Sequence, residues 1–104
     1  MTTINIDRQN AAEALDRLIA IARSDTGQAR RVANFLLAWW SGEEHGHFPI
    51  SDIFGLDRAI AADITAIIGF LGQQPCAIYA NDFGRREEIK DLIRLWRPAR
   101  TEAA

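Results

Sequence analysis

The chain has 104 residues, 48% hydrophobic and 25% charged, with a formal net charge of −2. That length and balance set an expectation of one soluble globular domain, large enough to form a core without metal or disulfide staples. The negative balance weighs against a general nucleic-acid binder, and the single cysteine, Cys76, excludes an intramolecular disulfide.

A lone cysteine suits a cytoplasmic setting. The start, Met1–Arg8, lacks the basic-then-apolar pattern of a secretory leader. The longest nearly apolar run, residues 64–72, is far short of the roughly 20 residues that a membrane span needs.

Asn10 with Glu13 reads as a capping box, and the pattern after it predicts a helix near residues 7–23 burying Leu15, Leu18, Ile19 and Ala22. Ser24-Asp-Thr-Gly27 interrupts it, and Asp25 with Gln28 reads as a second capping box. So short a break predicts a helical hairpin.

Val32, Phe35, Leu36, Trp39 and Trp40 then recur at helical spacing, with Gln28, Arg30, Arg31, Asn34 and Ser41 toward water. This central helix is expected to supply more buried surface than any other.

Ser41–Pro49 holds two glycines and a proline and reads as an exposed loop. Ile50–Gly55 reads as one short helical turn, capped by Ser51 or Asp52. Asp57 is placed to cap a helix over 58–71 with Ile60, Ile64, Ile67, Ile68 and Leu71 inward.

Gly72 and Pro75 end that helix. Residues 76–80 read as an extended link or a loose turn. Asn81 or Asp82 is placed to cap a last helix over 83–96, with Phe83, Ile89, Leu92, Ile93 and Trp96 inward. Pro98 stops it. The predicted fold class is all-α: a compact bundle of four main helices plus one short helix, its core about residues 7–97 and its tail, 98–104, frayed.

Chemistry has few footholds. His45 and His47 beside Glu43 and Glu44 are the one cluster of metal-ligand types, but alternate positions in a glycine-containing loop do not fix coordination geometry. Cys76 has apolar neighbours and reads as a small packed hydrophobe. No nucleophile elbow, phosphate loop or His-Glu-x-x-His motif is present. The expectation is a protein that is not an enzyme and has no catalytic residue, metal or cofactor.

Surfaces are the alternative. Arg30, Arg31, Arg85, Arg86, Arg94 and Arg97 are candidates for a phosphate-tracking face, because the guanidinium fork matches phosphate oxygens; the plain alternative is solvated helix faces. Glu43, Glu44, Asp52, Asp57 and Asp63 make the middle acidic and are candidates for a surface presented to a basic groove on a partner. Trp39 and Trp40 point about 100° apart on a helix, so one is a candidate for a contact surface if it lies at the core margin.

Asp25-Thr-Gly-Gln28, Arg31-Val32, Asn34-Phe-Leu-Leu-Ala-Trp-Trp40, the Phe48–Asp63 block and Trp96-Arg-Pro98 together resemble the signature of an uncharacterised bacterial family of small proteins. Such proteins are encoded on integrative conjugative elements and plasmids of proteobacteria. The likeness spans about residues 12–98 and departs from the family pattern at Phe54, where an indole is usual, and at Ser41, where an amide is usual.

The resemblance implies a setting rather than an activity. The leading expectation is an accessory protein of a mobile element that binds and inhibits a host defence protein or nucleoprotein complex, such as a CRISPR-Cas effector or nuclease, as an anti-CRISPR protein does. The alternative is a small nucleic-acid-binding regulator that uses the arginine-rich helix faces. A further alternative is a homodimeric structural subunit joined through Trp39 and Trp40; no membrane partner is expected.

Overall fold

The computed structural model describes residues 7–98; the frayed tail expected beyond Pro98 lies outside the described residues. Four α-helices run α1 (Arg8–Ala22), α2 (Ala29–Trp40), α3 (Arg58–Gly72) and α4 (Arg86–Trp96), with 3₁₀ turns at Ile50–Gly55 and Ala80–Phe83. Among the described residues there is no strand, and no helix is long and apolar enough to cross a membrane. The fold is all-α, as predicted.

Local caps differ from the sequence expectation. Asp7, not Asn10, caps α1: its carboxylate accepts from the Asn10 backbone N–H at 2.7 Å. Gln28 occupies the N-cap of α2 but makes no capping bond there. Its side-chain oxygen instead accepts from the Asp57 N–H at 2.7 Å, across 29 residues of chain. Asp57 stands at the N-cap of α3, again without a side-chain cap bond.

The last helix starts later than periodicity suggests. The Asp82 carboxylate accepts from the Tyr79 N–H at 2.8 Å and so closes the 3₁₀ turn. Gly84 then takes φ +76, a left-handed conformation that suits a residue without Cβ and ends the turn before α4 begins. Phe83 therefore sits on the turn, where its ring packs against Trp39 and Phe70 at 6.2 and 5.9 Å between centroids.

α1 and α2 each bury six residues, and contacts between helices are most extensive at α1. α1 packs extensively against both α3 and α2 and also reaches α4, while the main partners of α2 are α1 and α4. The reason is size. Ala11, Ala14 and Ala22 are buried in α1 and let neighbouring helices approach closely.

Around them Leu15, Leu18, Val32, Leu36, Leu37, Ile64, Ile67, Ile89 and Leu92 are fully buried. Each such side chain contributes roughly 1.5–3 kcal/mol through removal of apolar surface from water. In α3 the inward face is Ile60, Ile64, Ile67 and Phe70. Ile68, expected inside, is 48% exposed, because the helix turns its 60-64-67 line toward α1.

Both Trp39 and Trp40 are half-buried at the margin of the core. The Trp39 indole N–H donates to the Ile78 carbonyl at 3.0 Å, anchoring the link after α3. Trp96 does the same for the α1–α2 turn, donating to the Ala22 carbonyl at 2.8 Å.

Candidate functional site

The segment 41–49 is not a loose solvated loop. The His45 N–H donates to the Ser41 carbonyl at 2.9 Å, and the chain then folds back over α2. At Gly46 any Cβ would overlap the Ala38 backbone, so only glycine allows this approach. The contact carries His47 and Pro49 along the polar side of α2.

That side of α2 bears Arg30 and Asn34, four residues apart and so neighbours on one face, with Arg31 beside them. An open cleft of about 440 Å³ is lined by Arg30, Asn34, His47, Trp96 and Arg97. A second, also about 440 Å³, is lined by Gly27, Arg30, Arg31, Asn34, His47, Pro49 and Asp52. Arg30, Asn34 and His47 belong to both, so the two form one groove along α2.

The charges along the groove are fixed to different degrees. Arg30 is exposed. The Arg31 guanidinium lies over Gly55, filling the space where a Cβ would project from the 3₁₀ turn. Arg97 at the end of α4 donates from Nη2 to the Asn34 side-chain oxygen at 2.7 Å and from Nε to the His45 carbonyl at 2.9 Å. Because no side chain caps α2, the positive end of its dipole, beside Gly27, adds to the same field.

The other candidate arginines have different surroundings. Arg85 grips Asp16 through Nε and Nη2 at 2.6 and 3.0 Å. The hydrogen bond from Arg85, outweighing the cost of partial burial, holds the Asp16 carboxyl below its ordinary range, and the same bond raises Arg85. Arg94 pairs with Asp91 one helical turn away, and Asp91 also takes Arg23 at 3.3 Å. Arg86 is exposed and lines a separate hollow with Trp40, Ser41, Glu44, Tyr79 and Asn81.

The candidate acids are spread over several elements. Asp63 is held by Arg17 through a two-pronged contact at 2.9 and 3.0 Å, across the α1–α3 interface. Donating to the Asp63 carboxylate raises the Arg17 guanidinium above its ordinary value. Asp57 stands at the head of α3, Asp52 in the wall of the groove, and Glu43 and Glu44 on the outside of the loop.

His45 is largely enclosed. Its Nδ1 is buried without a hydrogen-bond partner, and its Nε2 lies 3.6 Å from a Glu44 carboxylate oxygen. Among the described residues no group of three or more His, Cys, Asp or Glu stands close enough together to hold a metal ion. Cys76 is exposed, contrary to the packed thiol expected, because the chain from Gln73 to Tyr79 runs over the surface and sends only Gln74 and Ile78 part-way in.

The sequence marked Arg30, Arg31 and Arg97 as cationic, but nothing in it joined them to Asn34 and His47. One local sign was available: a glycine between two histidines allows a close backbone approach.

Residues 12–97 match the family of unknown function DUF7673, and the chain belongs to that family. No curated protein and no solved structure matches the chain. The family description assigns no activity, so the functional reading rests on the geometry of the surface.

Proposed function

We propose that this chain acts by stoichiometric binding rather than catalysis, and that the groove along α2 takes the phosphate backbone of a nucleic acid. One observation carries the reading: Arg30, Arg31 and Arg97 converge with Asn34 and His47 on a single open groove. The net charge of −2 is a sum over the whole chain, whereas Arg30, Arg31 and Arg97 are gathered on one side of α2. Local charge, not the total, meets a ligand within a Debye length of about 8–10 Å.

The test is fluorescence anisotropy with a labelled oligonucleotide at about 50 and 200 mM salt. Affinity is expected to fall with salt, and Arg30→Glu to remove most of it. Binding that ignores both salt and Arg30→Glu would overturn the reading.

A second reading has support of its own. Phe54 is 89% exposed and Ile50 76% exposed on one short turn, and Glu43 and Glu44 stand outward on the neighbouring loop. An exposed aromatic and an aliphatic side chain with acids nearby suit a protein contact. In this reading the chain is a cytoplasmic accessory protein of a mobile element, and it inhibits a CRISPR-Cas effector or nuclease. A transformation assay that shows no relief of CRISPR interference would count against it.

A further inference from the structure

The cationic side chains along the groove are of two kinds. Arg30, Arg31 and Arg97 carry guanidiniums, which keep their charge at any ordinary pH. His47 carries an imidazole, the side chain whose charge changes between about pH 5 and 8. It lines both openings of the groove, each time with Arg30 and Asn34. The Gly46 contact with Ala38 lays it there.

His47 is exposed, and among the described residues its ring has no hydrogen-bond or ion-pair partner. The charged groups lining the same openings are Arg30 and Arg31 from α2, Arg97 from the end of α4 and Asp52 from the 3₁₀ turn. Within its own loop, His45 and Glu44 are set against each other and line neither opening.

We propose that phosphate binding in this groove is coupled to uptake of a proton from solvent by His47, so that acid tightens it. The proposal rests on the phosphate-binding reading above and adds its regulation. A phosphodiester seated among the arginines attracts a further positive charge. An imidazolium also offers two N–H donors where the neutral ring offers one. Binding and protonation therefore favour each other, and by linkage each strengthens the other by the same factor. Solvent screening at so exposed a ring holds that factor to about 3- to 10-fold.

The probe is a labelled oligothymidylate of about 20 nucleotides, single and paired with its complement, long enough to offer several phosphates. Thymine and the phosphodiester keep their charge over the range in which imidazole titrates, so the probe itself adds no pH dependence. Wild type is expected to bind about 3- to 10-fold more tightly at about pH 5.5 than at about pH 8. The salt dependence should steepen with it by one phosphate contact, about 0.7–0.9 in the slope of log affinity against log salt.

His47→Gln should lose both changes. His47→Lys, charged throughout, should show the steeper slope at both pH values and no gain in acid. Asp52→Asn should keep the gain, because the proton goes to His47. As His47 is exposed, the thermal midpoints of its variants should match wild type, which separates a lost charge from a lost fold.

Equal wild-type affinity at the two pH values, or a gain that persists in His47→Gln, overturns the proton coupling. If affinity in that case still falls with salt and with Arg30→Glu, the phosphate-binding reading survives. Failure of both forms of the probe to bind overturns both.

Discussion

The Arg97 guanidinium and the Asn34 side-chain oxygen meet at 2.7 Å, joining the end of α4 to the middle of α2. The same guanidinium holds the His45 carbonyl, so helix, helix and loop are fastened at one point beside the groove. Asn34→Ala should lower stability by about 1 kcal/mol, the usual net worth of such a bond, seen as a lower urea midpoint with unchanged slope. Asn34→Asp keeps an acceptor for Arg97, so its midpoint should stay near that of wild type. Its added negative charge should weaken oligonucleotide binding, which separates the structural part of this contact from its electrostatic one.

Gly46 meets the Ala38 backbone so closely that a methyl group has no room. Gly46→Ala should cost about 1–3 kcal/mol, as overpacking does, and shift the amide resonances of His45 and His47. A variant with wild-type stability and spectrum would show that the loop does not rest on α2.

Gln28 and Asp25 look like one capping pair in sequence, yet only Gln28 reaches a distant partner, the Asp57 N–H. Gln28→Ala is expected to lower stability by about 0.5–1.5 kcal/mol. Asp25→Ala, at an exposed site, should stay within about 0.5 kcal/mol of wild type. Chemical denaturation of the two variants side by side checks the contrast.

Asp16 and Arg85 tie α1 to the start of α4. The Asp16 carboxyl is held below its ordinary range by the bond from Arg85. The pair's contribution is therefore full above the unfolded-state value of about 3.9 and is lost as pH falls through the lower folded-state value. Half of the Asp16 side chain is exposed, so solvent screening limits the contribution to a few tenths to about 1 kcal/mol. A double-mutant cycle of Asp16→Asn with Arg85→Gln should give that coupling near neutral pH and almost none in strong acid.

Cys76 is exposed on the segment that follows α3. The folded protein should react with one equivalent of a disulfide reagent without denaturant, and Cys76→Ser should change stability by less than about 0.5 kcal/mol. A thiol released only on unfolding would return Cys76 to the core.

The sequence alone determined that the chain is helical and roughly where each helix lies, because three-and-four spacing of apolar residues is a local property of the chain. Leu15, Leu18, Val32, Leu36, Ile64 and Leu92 could be assigned to the interior on that basis. It also marked Arg30, Arg31, Arg85, Arg86, Arg94 and Arg97 as candidates for a phosphate-tracking face, without separating the first two and the last from the rest. Tertiary structure alone decided that α1 is the shared packing partner, that Ile68 faces out while Phe70 faces in, and that Gln28 serves α3 rather than its own helix. It also decided that Asn34, His47 and Arg97 flank one groove: Arg97 reaches Asn34, 63 residues away, because α4 packs on α2, and His47 joins them because the loop crosses α2 at Gly46. Periodicity reports which side of a helix avoids water; it carries no information about which distant segment comes to lie across the other side.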